Sequence, residues 1–128
     1  MTDFTYNAGD VFQPKGHHCY VIISDTERDP NQLVLVNFTG LEFYKDQSCI
    51  IHVGEHLFIT KETCMNYAKA RIADRSMLEQ AEAAGLTPRW DPVSPELLAR
   101  IRSGAEQTNE LPQDVEVFLR AQGIVNGE

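Results

Sequence analysis

The chain has 128 residues, 42% of them hydrophobic, and a formal net charge of −8. That length suits one domain with a real core, and no apolar run is long enough for a membrane-spanning helix. The acidic balance argues against broad nucleic-acid binding driven by counterion release. Cys19, Cys49 and Cys64 are an odd set without paired spacing, which suits reduced thiols rather than a disulfide framework. The opening MTDFTYNAGD lacks the basic and apolar regions of a signal peptide, which points to the cytoplasm. A single domain over 1–128 is expected, β-rich over about 9–73 and helical over about 76–123.

In chain order, Asp10–Gln13 reads as a short strand. Tyr20–Ser24 and Leu33–Phe38 are continuous apolar runs, the pattern of strands buried on both faces. Ser48–Val53 is a fourth strand candidate. Thr60-Lys61-Glu62-Thr63 reads as one helical turn capped by Thr60. Asn66–Ile72 is the fifth strand candidate, with Tyr67, Lys69 and Arg71 alternating against Ala68, Ala70 and Ile72. Short strands separated by turn signals suggest a small barrel or sandwich.

The remainder reads as helical. Ser76 to Glu79 fits a capping box, and that helix should stop at Gly85. Ser94-Pro95-Glu96 opens a second helix, with Pro at its first position, running to Gly104. A third starts near Pro112 and ends at Gly123, with Val115, Phe118 and Leu119 on one face. Leu86–Val93 reads as a linker that Trp90 pins to the body.

The stretch from Gly16 to Gly40 carries the chemistry. His17, His18 and Cys19 precede the first apolar run, and Asn37 and Thr39 close the second. Pairing of the two strands brings an imidazole, a hydroxyl and an amide to one pocket. Cys19 beside His18 is poorly placed for Cys–His catalysis, because adjacent strand residues point to opposite faces.

Gly9-Asp10-Val11, a Pro/Lys/Gly turn, the VIIS strand and the VLVNFT strand together resemble the MazF/PemK (Kid-like) toxin family. That family shows a GDI or GDV opening, a G-x-R-P-x-x-V-x-S segment and a strand ending in P-I-T. The later TKETCMNYAKARIADRSML is similar to the family's final strand and following helix. The resemblance covers roughly residues 9–80, as a divergent member. It implies an α+β, β-rich fold: an SH3-like small barrel of about five strands, here followed by three C-terminal helices. It also implies a homodimer, an antitoxin partner and metal-independent, cofactor-free cleavage of single-stranded RNA.

In that family an Arg and a Thr carry catalysis. Thr39 matches the Thr, whereas the Arg position holds His18 and the following Pro position holds Cys19. Histidine titrates near neutral pH and serves as acid or base. Arginine differs from it as a permanently charged, two-donor phosphate ligand. The expected catalytic pair is therefore His18 and Thr39. His17, Asn37, Lys69 and Arg71 are the expected substrate-binding residues, with Arg71 or Lys69 supplying the phosphate-binding charge.

Two alternatives stand beside this reading. One is a non-catalytic small-barrel module that binds a protein, which the net charge and the absent Arg favour. The other, weaker, is a metal-binding barrel using His17, His18, Cys19, Cys49, His52, His56 and Cys64. Against it, His52 to His56 is not a helical HExxH, and no cysteine spacing is paired. No metal ligand is assigned.

Overall fold

The computed structural model describes residues 5–126; residues 1–4, part of the segment read for a leader, lie outside the described residues. The chain builds an α+β fold in which a curled antiparallel sheet forms a half-barrel and three helices accompany it. The strands are β1 (Val11–Phe12), β2 (Tyr20–Ile22), β3 (Gln32–Gly40), β4 (Ile50–Ile51), β5 (Thr63–Asp74) and β6 (Arg89–Trp90), in the order β4-β5-β3-β2-β1-β6. The helices are α1 (Arg75–Ala83), α2 (Pro95–Gln107) and α3 (Gln113–Ala121).

β3 organises the sheet. Leu33, Val34, Leu35, Val36 and Phe38 are all buried. Alternation along the strand divides them between two clusters. Val34, Val36 and Phe38 join Val21, Tyr67, Leu97, Ile101, Val115 and Leu119 on the face covered by α2 and α3. Leu33 and Leu35 join Tyr6, Phe12, Ile22 and Leu78 on the other face. Each fully buried Leu, Ile or Val contributes about 1.5–3 kcal/mol relative to exposure.

The sixth strand was not expected. Arg89 and Trp90 lie in the stretch read as a linker, yet they pair with Phe12 and Val11. Two exposed residues carry no apolar run, so hydrophobic pattern cannot reveal such a strand. Side chains hold it instead. The Arg89 guanidinium donates to both Glu82 carboxylate oxygens, at 2.6 and 2.9 Å, and stacks over Tyr6 and Phe12. Trp90 Nε1 donates to Gln13 at 3.0 Å, so the indole does pin this stretch.

Four local expectations are corrected. No helical turn spans Thr60 to Thr63; the chain there is irregular, and β5 starts at Thr63. The first helix has Asp74 at its N-cap, not Ser76, and no side-chain cap. β5 runs straight into it, the Asn31 carbonyl accepts from Arg75 N–H at 2.8 Å, and Glu79 pairs with Arg75. The alternation over Asn66–Ile72 breaks. Leu35 faces Arg71 but Asn37 faces Asn66, so β5 bulges between them. The bulge turns Tyr67 into the core while Lys69 and Arg71 stay exposed.

The fourth correction concerns Gly104, which does not end α2 but lies inside it. A Cβ there would sit 2.2 Å from the Tyr67 hydroxyl, 2.9 Å from Cys49 Cβ and 3.0 Å from the Ser48 carbonyl. The glycine is needed for close approach, and Tyr67 OH donates to the Ile101 carbonyl at 2.8 Å beside it. Gly85 and Gly123, at φ of 73° and 74°, do close α1 and α3 as expected. Ser94 caps α2, its Oγ accepting from Leu97 N–H at 3.1 Å.

Alanine is the better helix former by about 1 kcal/mol, so propensity alone favours Gly104→Ala. We expect the opposite: overpacking lowers stability by about 1–3 kcal/mol in denaturant titration. Tyr67→Phe in the same chain should recover part of that loss, because it removes the nearest clashing atom.

Candidate functional site

The register of the central pair sets the site. Tyr20 lies opposite Asn37, and Phe38 N–H donates to the Cys19 carbonyl at 2.9 Å. The residues before β2 therefore meet the end of β3. A turn closed by His17 N–H donating to the Pro14 carbonyl leads His17 and His18 into that corner. Both imidazoles are exposed. His17, His18, Cys19, Thr39, Phe58 and Lys61 line one open cavity of about 240 Å³ there.

Three of the residues expected from sequence thus come together: His17, His18 and Thr39. The other three do not line this cavity. Asn37 is buried, its Nδ2 donating to the Phe38 carbonyl at 3.3 Å. Lys69 is exposed within the bulge. Arg71 stacks over Tyr20, 5.3 Å from the ring centroid, and lines a separate groove with Leu35, Met77 and Leu78.

Two other lysines bring positive charge to Thr39. Lys61, just before β5, lines the His18 cavity. Lys45 donates from Nζ to Thr39 Oγ1 and to the Gly40 carbonyl, each at 2.9 Å. The first of these bonds fixes the hydroxyl's role. Thr39 Oγ1 accepts from an ammonium, so its own O–H is left to donate outward. Neither lysine carried a sequence signal. Both come from irregular segments flanking β4, and only the folded sheet edge sets them beside Thr39.

Thr39 also borders a second cavity, of about 270 Å³, lined by Tyr44, Lys45, Asp46, Cys64, Met65, Asn66 and Glu110. The loop carrying Tyr44 and Lys45 is held by Asp46. Its carboxylate accepts from Ser48 N–H at 2.9 Å and Ser48 Oγ at 2.6 Å, and from Thr108 Oγ1 at the C-cap of α2. Partial burial raises the Asp46 pKa, but these bonds outweigh it and hold the carboxyl below its ordinary value.

The cysteines are free and buried. Burial pushes the Cys19 thiol up to about 11, which keeps it protonated at neutral pH and unsuited to nucleophilic work. Among the described residues, no three His, Cys, Asp or Glu side chains gather as a metal site. No helix among the described residues is long and apolar enough to cross a membrane.

Two outcomes follow from these groups. Asp46 has a lowered pKa in the fold, so its bonds stabilise above the ordinary carboxylate range and lose that effect as pH falls through the folded value. Thr108→Val should therefore cost about 1 kcal/mol or more near pH 7, and the difference from the unmutated chain should shrink with acidification in pH-dependent unfolding. Cys19 should react slowly with iodoacetamide at pH 7–8 in the folded chain and rapidly once urea unfolds it, as read by mass spectrometry.

Compared with protein-family models and with curated proteins, the chain matches none.

Proposed function

We propose that the protein is a metal-independent endoribonuclease acting on single-stranded RNA, a divergent relative of the MazF/PemK toxins with an SH3-like barrel. The observation that carries the reading is the meeting of His18, Thr39 and Lys61 in one open cavity, with Lys45 bonded to Thr39. These groups supply what such cleavage needs. An imidazole removes the proton from the 2′-hydroxyl. The 2′-oxygen bonds to phosphorus, the bond from phosphorus to the 5′-oxygen breaks, and a protonated acid gives its proton to the leaving 5′-oxygen. His18 takes the base or acid role, with His17 beside it as partner. Thr39 donates to a non-bridging phosphate oxygen, and Lys45 and Lys61 offset the charge that builds there. The products are a 2′,3′-cyclic phosphate and a 5′-hydroxyl.

The reading reassigns the cation expected at Arg71 or Lys69 to Lys61 and Lys45. Lysine acts as a point charge and gives up the two-donor geometry of arginine. It keeps the antitoxin partner and the homodimer that the resemblance implies. The alternative, a non-catalytic protein-binding module, draws support from the net charge of −8, which disfavours a polyanionic ligand outside this corner.

Purified protein incubated with a single-stranded oligoribonucleotide should release cyclic-phosphate ends. His18→Ala should slow cleavage by about 10²–10⁴-fold, and Thr39→Ala by about 10²–10³-fold. Arg71→Ala should stay within about twofold. Unchanged thermal melting of the exposed His18 variant separates lost chemistry from lost fold. Full activity in His18→Ala overturns the assignment, and a folded protein with no cleavage at all favours the binding module.

A further inference from the structure

We infer that the cavity on the far side of Thr39 is a base subsite that takes a guanine next to the scissile phosphate; this rests on the RNA-cleavage reading. The cavity, at about 270 Å³, falls below the roughly 300–1,000 Å³ of drug-sized ligand sites, which suits a single base. Thr39 borders both cavities. A base held here therefore sits one step from a phosphate bonded to the Thr39 hydroxyl.

The walls divide between a stacking face and an edge. Tyr44 is 71% exposed and Phe43 92% exposed, and their rings meet edge to face at 5.6 Å and 87°. Two large aromatics left in water beside Lys45 match the composition of single-strand binding surfaces, where base stacking contributes about 1–3 kcal/mol per base. The loop is not slack. Lys45 N–H donates to the Glu42 carbonyl at 3.0 Å, and Asp46 ties the loop to Thr108. The Tyr44 ring is thus presented from an anchored turn.

The edge is rich in acceptors. Glu110 and Asp46 line it side by side; Asp46 is held by Ser48 and Thr108 and interacts with the Glu110 side chain as well. Asn66 lines it too, and its side-chain amide makes no hydrogen bond among the described residues. Carboxylates repel phosphate, so this wall faces a base rather than the backbone. A carboxylate accepts two parallel donors best. Guanine offers such a pair on its Watson–Crick edge, N1–H and N2–H. Adenine and cytosine place an acceptor beside their amino group, and uracil flanks its single N–H with carbonyls. Glu110 is the residue that reads guanine, Asn66 completes the edge, and Tyr44 supplies the stacking face.

The test uses the full chain and uncleavable 2′-O-methyl oligouridylates bearing one central guanosine, inosine or adenosine, with binding read by fluorescence anisotropy. The guanosine oligomer should bind about tenfold or more tighter than the adenosine one, with inosine, which lacks the 2-amino group, between them. Glu110→Gln should abolish the preference without weakening binding of plain oligouridylate. Tyr44→Ala should weaken every oligomer by roughly tenfold. Equal binding of all three by the unmutated protein, or a preference that survives Glu110→Gln, overturns the subsite. If RNA is bound and cleaved with no guanine preference, only the subsite falls; if no oligomer binds, the cleavage reading falls with it.

Discussion

A single strand buried on both faces governs this molecule. β3 cannot tolerate water on either side, because Leu33 and Leu35 serve one cluster while Val34, Val36 and Phe38 serve the other. A slip of one residue would exchange the two sets and drive each into the wrong core. Register is thereby fixed against both β2 and β5. The same register decides where β3 ends, and so where Thr39 and Gly40 emerge beside His18. The placement of the candidate chemistry follows from the packing requirement.

The parts around that strand are secured by a few close contacts. α2 seats against β5 through the bare backbone of Gly104 and the buried Tyr67. β6 and α1 are joined by Arg89, whose charge is matched by Glu82 and, at 3.3 Å, by Asp10. The loop bearing Tyr44 and Lys45 hangs from the end of α2 through Asp46 and Thr108. Helix packing thus reaches the corner where His18, Lys45 and Lys61 gather. Function in this reading depends on rigid presentation: the polar groups are borne by loops, but each loop is tied to the sheet or to α2.

Much of the fold was legible because long apolar runs leave few options. Tyr20–Ser24 and Leu33–Phe38 announced their strands, and Ser94-Pro95 announced a helix start. The failures have physical causes. The bulge in β5 is a property of its pairing with β3, so the alternation of Tyr67, Lys69 and Arg71 misled. Ser76 looked like a cap until β5 ran on through Asp74. β6 is a strand only because β1 has an open edge and Arg89 an acidic partner. The site divides along the same line. His17, His18 and Thr39 could be joined from sequence, since they lie at the adjoining ends of two neighbouring strands. Lys45, Lys61, Tyr44 and Glu110 could not, because three-dimensional closure alone collects residues from such distant loops.

The central claim is that one corner of the sheet, at the ends of β2 and β3, receives single-stranded RNA. Amide chemical shifts of the labelled chain, followed during titration with a short all-deoxy single strand that resists cleavage, test it most directly. The account predicts the largest changes at His17 to Cys19, Thr39 to Asp46 and Phe58 to Lys61, with little change around Arg71 and Met77. Changes centred on the Arg71 groove, or none at strand concentrations that saturate comparable single-strand binders, would contradict it.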